Sequence, residues 1–144
     1  MERLNKKIKN ATAKVYDGIS FKSLFEVATY KVLTECGFCP RYEAEKYVIV
    51  KGFMPTIPFY TKDKNTRMLK SEMGKVRDIT YTPDFTFDYK DYKIVIECKG
   101  FENDVFPLKK KLFRKYLESF EKYMFFEVFN QRQLKQSIEI IRNL

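Results

Sequence analysis

The residues from which chemistry can be read most directly are Asp84 and the triplet Glu97-Cys98-Lys99. They lie in two alternating runs, Ile79-Thr80-Tyr81-Thr82-Pro83-Asp84-Phe85-Thr86-Phe87-Asp88-Tyr89 and Tyr92-Lys93-Ile94-Val95-Ile96-Glu97-Cys98-Lys99, the second ended by Gly100. A period of two predicts strands, and Lys90-Asp91 between them predicts the turn of an antiparallel hairpin. With a loop of two or four residues the partners' numbers sum to 181, which puts Asp84 opposite Glu97 and Lys99 on the face of Glu97, opposite Thr82. A loop of three or five residues would shift the pairing. Carboxylates directly opposite one another repel, and a hard divalent cation relieves the repulsion. Magnesium suits two carboxylates because it keeps waters and leaves room for a phosphate oxygen. A lysine two residues on can orient or deprotonate a water, or stabilise charge developing at phosphorus. The same residues would also serve as the solvated face of an edge hairpin. Pro83-Asp84, Gly100 and the basic segment beyond them, found together, favour the chemical reading.

Other elements must position this pair. Apolar residues Phe21, Leu24, Phe25, Ala28 and Val32 recur at helical spacing, predicting a helix that begins at Ser20 and stops at Gly37. Glu26 rides beside the Leu24/Ala28 stripe as a candidate third acidic group. Ser23-x-x-Glu26 also reads as a capping box, which a start at Ser20 disfavours. Glu43, at the opening of a strand predicted over 42–50, is the second choice. Residues 52–76 carry Gly52, Pro55, Pro58 and Gly74 with five basic and two acidic residues, and form a loop or loose hairpin. Lys62, Lys64, Arg67 and Lys70 there could clamp or read a polyanionic substrate.

Asn103 or Asp104 can cap a following helix with Pro107 in its first turn and Leu108, Leu112, Phe113, Tyr116, Leu117 and Phe120 inward. Its other side carries Lys109, Lys110, Lys111, Arg114 and Lys115, which read either as a solvated charged face or, better beside Glu97-Cys98-Lys99, as a phosphate-binding surface. Tyr123–Phe129 reads as a buried strand and 131–144 as a closing helix with Leu134, Ile138 and Ile141 inward. The predicted order α-β-β-β-α-β-α describes an α/β protein, with residues 1–18 as a basic arm and 19–144 as a single domain.

The whole chain of 144 residues carries 28 Lys+Arg against 19 Asp+Glu, a formal charge of +9, which points to a polyanionic partner. It has no histidine, so imidazole-activated nucleophiles, histidine metal ligands and histidine pH switches are excluded. Three cysteines fit a reducing compartment. Cys36-Gly37-Phe38-Cys39 reads as a helix end, where the dipole has the wrong sign to activate a thiol; Cys98 cannot complete a four-ligand zinc site with them. No window approaches the roughly 18–20 apolar residues of a membrane span and the start lacks the apolar core of a secretory signal, so a cytoplasmic protein is expected.

Pro83-Asp84, twelve intervening residues and Glu97-Cys98-Lys99 resemble the signature of the PD-(D/E)XK nuclease superfamily. The resemblance implies a restriction-endonuclease-like αβββαβ core, with a mixed central sheet flanked by helices. It also implies an endodeoxyribonuclease using Mg2+, with Mn2+ able to substitute: Asp84, Glu97 and Glu26 at the metal, Lys99 assisting the attacking water. More narrowly, the stretches Tyr16 to Glu26, Arg77 to Phe85, Ile96 to Gly100 and Lys109 to Phe113 resemble a small phage-associated endonuclease family, similar to Holliday junction resolvases. The likeness spans most of residues 10–130 and is thinnest over 50–76. It implies a homodimer acting on branched DNA, in the host cytoplasm if phage-encoded. The alternatives are a phage nuclease of low selectivity and a non-catalytic DNA-binding protein of the same fold. No base-reading code is visible, which favours structure over sequence as the thing recognised.

Overall fold

A computed structural model describes residues 14–100 and 105–144. Residues 1–13 of the expected arm and the expected caps Asn103 and Asp104 lie outside the described residues. In chain order the elements are β1 (Lys14–Tyr16), β2 (Ile19–Phe21), α1 (Leu24–Glu35), β3 (Arg41–Tyr42), β4 (Tyr47–Val50), β5 (Phe59–Lys62) and β6 (Leu69–Glu72). There follow β7 (Ile79–Tyr81), β8 (Phe85–Tyr89), β9 (Tyr92–Cys98), α2 (Phe106–Leu117), β10 (Tyr123–Val128) and α3 (Gln131–Arg142). The protein is mixed α/β. Its described residues fall into two compact units, one of 14–45, 83–100 and 122–144, the other of 46–82 and 105–121.

The first unit is built on a four-stranded mixed sheet in the order β10-β9-β8-β3. The β8–β9 hairpin turns at Lys90-Asp91, with Lys90 at φ 52°, and pairs Phe85 with Ile96 and Tyr89 with Tyr92, the sum of 181 that a two-residue loop requires. β10 lies parallel to β9, Glu127 in register with Glu97, while β3 pairs antiparallel with β8. Phe85, Phe87, Ile94 and Ile96 line one face of the sheet and share a core with Tyr30 and Leu33 of α1 and Leu134, Ile138 and Ile141 of α3. Parallel β9 and β10 require a long crossover, which runs through α2.

Several elements differ from the sequence expectation. Lys14–Tyr16, placed in the arm, pair with β2 through the turn Asp17-Gly18, both residues at positive φ. That hairpin consumes Ile19–Phe21, so α1 starts at Leu24 with Ser23 as its N-cap. Its buried stripe is therefore Glu26, Thr29, Tyr30 and Leu33, and Leu24 is exposed. The predicted 42–50 strand is two strands in two sheets, and the continuous 79–89 strand breaks at 82–84, β7 pairing with β4 and β8 with β9. β10 is half-buried except at Val128, as an edge strand is.

In the second unit β4 and β7 carry Tyr47 and Tyr81, which pack with Phe106 and Phe113 of α2; ring centroids lie 5.1 Å apart for Tyr47–Phe113 and 4.7 Å for Tyr81–Phe113. Leu108 and Phe120, expected inward, are exposed, because α2 buries Phe106 and Phe113 and ends at Leu117. Residues 59–72 form the two-stranded hairpin β5–β6, tied at its base by the Phe53–Val76 bridge. Phe53, Met54, Ile57, Phe59, Met68 and Leu69 are all exposed there, and a groove of about 600 Å³ is lined by Phe53, Met54, Pro55, Ile57, Phe59 and Val76, among others. Among the described residues no helix is long and apolar enough to cross a membrane.

Phe85 is fully buried at the centre of the first core. Phe85→Ala is expected to cost about 3–5 kcal/mol, whereas Leu108→Ser should stay within about 0.5 kcal/mol. Urea denaturation distinguishes them, and equal losses would contradict the burial pattern.

Candidate active site

The register that buries Phe85 and Ile96 on one face sends Asp84 and Glu97 to the other. Asp84 precedes β8, just beyond the regular ladder, and is anchored rather than merely opposed: the Cys98 backbone N–H donates to its Oδ2 at 2.7 Å. Glu97 Oε1 lies 2.8 Å from Lys99 Nζ. Lys99 is in turn fixed by its own N–H, which donates to the Val128 carbonyl at 2.9 Å and continues the β9–β10 pairing past the strand's end. Asp84, Glu97 and Lys99 are all buried, at 9%, 6% and 8% exposure, which removes the solvated-face reading.

Burial and the neighbouring Glu97 push the Asp84 carboxyl up to about 8, with a lesser push from Glu26; the Cys98 N–H and Lys99 oppose the shift. Ionising Asp84 beside Glu97 would add negative charge that Lys99, already paired with Glu97, does not balance. The Cys98 thiol, also buried, is shifted upward by desolvation, and it bonds Thr29 at 3.4 Å, so it is an inert packing group rather than a nucleophile. Cys36 is the C-cap residue of α1, as expected from Gly37, which has φ 88°.

Glu26 faces inward at the third position of α1. Its N–H donates to Ser23 Oγ at 3.1 Å, and the Ser23 hydroxyl donates to Glu26 Oε1 at 3.0 Å. Ser23 thus caps the helix, contrary to the sequence argument from a start at Ser20, because the β1–β2 hairpin delays the helix, and the Glu26 carboxylate returns to the cap through the Ser23 hydroxyl. Oε2 accepts from the Lys22 N–H and from the Tyr42 hydroxyl. Burial and that bond shift the Tyr42 phenol upward, so it stays a donor. Glu26 reaches Asp84 electrostatically, but among the described residues no three of Cys, Asp and Glu close into a ready metal-binding group.

The donor set at Asp84 and Glu97 still fits magnesium. Both are hard oxygen ligands, and Mg2+ is commonly bound by one or two carboxylates with waters and substrate phosphates completing its shell. Thr86 adds a second sign. It shares the Asp84 face of β8, and its fully buried hydroxyl has no hydrogen-bond partner among the described residues.

Three neighbours carry no signal in the local sequence. Glu127 stands beside Glu97 on the same face, a register set by parallel pairing across a crossover that no local pattern encodes. Tyr42 holds Glu26. Lys22 pairs with Glu43, whose N–H donates to the Asp84 carbonyl at 2.8 Å.

The expected nucleic-acid contacts belong to the second unit. Lys62, Lys64 and Arg67 are exposed around the β5–β6 turn, which Asp63 shapes by accepting from the Asn65 and Thr66 N–H groups. Lys111, Arg114 and Lys115 are exposed on α2, whereas Lys109 and Lys110 are half-buried, the latter 5.6 Å from the Phe106 ring centroid. Comparison with protein-family models, with curated proteins and with solved structures finds no match.

The folded protein keeps the Asp84 proton to about pH 8, while the unfolded chain releases it near 3.8. Between those values the unfolded chain binds fewer protons, so the Asp84 contribution to stability falls as pH rises across that window. In chelator, Asp84→Asn should therefore raise stability by about 1 kcal/mol or more at pH 8 and by clearly less at pH 5. Thermal melts at the two pH values check this; equal shifts, or a loss at pH 8, would contradict it.

Proposed function

We propose that this protein is a metal-dependent DNA endonuclease with a restriction-endonuclease-like αβββαβ core of the PD-(D/E)XK kind, structure-selective on branched DNA. The observation that carries the proposal is the buried trio: Asp84 bonded to the Cys98 N–H, Glu97 on the adjoining strand, and Lys99 paired with Glu97. The order α1, β3, β8, β9, α2, β10 of the elements in and around the mixed sheet supports the fold assignment.

Asp84 and Glu97 would hold Mg2+, or Mn2+ in its place, and when bound the ion supplies positive charge that polarises a phosphate oxygen. Lys99, paired with Glu97, orients the attacking water and stabilises charge developing on the phosphoryl oxygens as the water oxygen adds and one P–O ester bond breaks. Glu26 supports the site from α1 through its charge and its hold on Tyr42. Lys109, Lys110, Lys111, Arg114, Lys115, Lys62, Lys64 and Arg67 bind the sugar-phosphate backbone, which suits recognition of shape rather than sequence.

The proposal includes a homodimer, since two strands of a junction need two sites. The β5–β6 hairpin supports it. An isolated two-stranded hairpin is marginal in water, and this one leaves both outer edges unpaired. At about 150–250 Å² for a large side chain, its exposed apolar residues offer on the order of 800 Å², one partner's share of a standard interface. A second copy can fill the groove at the hairpin's base with its own Met68 and Leu69.

A cleavage panel of duplex, single-stranded, flapped and four-way DNA with Mg2+, Mn2+ or chelator tests the activity. Metal-dependent cutting, best on branched DNA and reduced at least about 100-fold by Asp84→Asn, is expected. Glu97→Gln is the poorer probe, because it leaves the buried Lys99 ammonium without that partner. Cleavage by Asp84→Asn at the wild-type rate would refute the site. Binding of junctions without cleavage under any metal would favour the non-catalytic alternative.

For the dimer, sedimentation of the wild type should give twice the chain mass, and Leu69→Glu with Ile57→Glu should give monomers that remain folded. A wild-type monomer at micromolar concentration, free and on four-way DNA, would remove the dimer.

A further inference from the structure

We propose that Lys22 is a phosphate-docking residue of the Asp84–Glu97 site, held by Glu43 until a nucleic-acid strand arrives. This rests on the nuclease reading above and adds to it a residue outside the catalytic hairpin.

Lys22 sits between β2 and the N-cap of α1. Its backbone is fixed, the N–H donating to Glu26 Oε2 at 3.2 Å and to the Tyr42 hydroxyl at 3.3 Å. Its side chain is 71% exposed, and the ammonium bonds only Glu43, among the described residues. A rigid base with a solvent-facing, extensible arm is suited to meeting a ligand from outside.

Glu43 is held just as firmly. Its backbone has φ 45°, in the left-handed region that residues with a Cβ rarely adopt, and its N–H bonds the Asp84 carbonyl. Backbone strain of this sort is retained where surrounding structure enforces it, and it clusters at functional sites. The Lys22–Glu43 pair therefore stands one backbone hydrogen bond from Asp84. The Lys22 ammonium is raised mainly by Glu43, and it also feels Asp84 and Glu26. It belongs to the field of the site.

An exposed ion pair of this kind contributes little to stability, so it is easily exchanged. A phosphate oxygen is a strong alternative partner, since lysine is a compact point charge that binds phosphate without demanding fork geometry. Docking a backbone phosphate on Lys22 would draw the strand toward Asp84 and Glu97.

The test is fluorescence anisotropy of labelled duplex DNA in the Asp84→Asn background, across a salt series, alongside steady-state cleavage in the wild-type background. Lys22→Ala is expected to weaken binding about 3–10-fold and to lower the log–log salt slope by about 1. In cleavage it should raise KM with kcat within about 2-fold, the pattern of lost uniform binding, and Lys22→Arg should restore both. Glu43→Gln should tighten binding by releasing Lys22, and the gain should vanish in the Lys22→Ala, Glu43→Gln double variant. A merely structural ion pair would not give opposite signs for its two halves. Unchanged affinity in Lys22→Ala, or a Glu43→Gln gain that persists without Lys22, would overturn the inference. Failure of the wild type to cut any DNA would instead remove the nuclease reading, while the anisotropy series still decides whether Lys22 docks phosphate.

Discussion

Burying two carboxylates and one ammonium where two strands meet is the constraint that the first unit is built around. A charge taken out of water costs several kcal/mol unless it is paired and hydrogen-bonded. Lys99 answers Glu97, the Cys98 N–H answers Asp84, and burial beside Glu97 raises the Asp84 carboxyl, which keeps its proton rather than add a charge that nothing in the site balances. Apolar residues at these positions would carry no such cost; under the proposed function a bound cation would offset the charge of both carboxylates.

The backbone around the site serves the same end. β9 carries Cys98 toward α1 and its neighbours Glu97 and Lys99 away from it, so a single alternation supplies both core and chemistry. The start of α1 is equally dual. Ser23 Oγ accepts the Glu26 N–H, one of the helix's first donors, and the Glu26 carboxylate suits the positive end of the helix dipole. Tyr42 then locks Glu26, and the neighbouring Glu43 ties Lys22 to the Asp84 backbone.

Local patterns make the hairpin legible. Alternation and a two-residue turn fix the 181 register, and with it the approach of Asp84 to Glu97. Leu134, Ile138 and Ile141 in α3 are equally plain, because a lone amphipathic stripe at the surface of a core has one interpretation. The start of α1 misleads for a physical reason. Phe21 and Leu24 extend the helical spacing upstream, but Phe21 is a strand residue and Leu24 points to solvent, so the phase of the stripe is set by packing rather than by the apolar residues alone. Once shifted, that phase places a glutamate and a threonine inside. The break at 82–84 is hidden because alternation continues through it while the pairing partner changes. Glu127 depends on a parallel register set across a crossover, which no short pattern records.

The second unit presents a different surface, with basic side chains on α2 and at the β5–β6 turn and unburied apolar residues along the hairpin. Both properties accord with the proposal of a homodimer that binds polyanions. The central claim nevertheless stands on Asp84 and Glu97. It is tested most directly by Mn2+ titration followed by electron paramagnetic resonance, comparing the wild type with Asp84→Asn in the presence of a short duplex. The account predicts saturable Mn2+ binding by the wild type that is lost in the variant. Equal binding by the two proteins, or none by either, would contradict it.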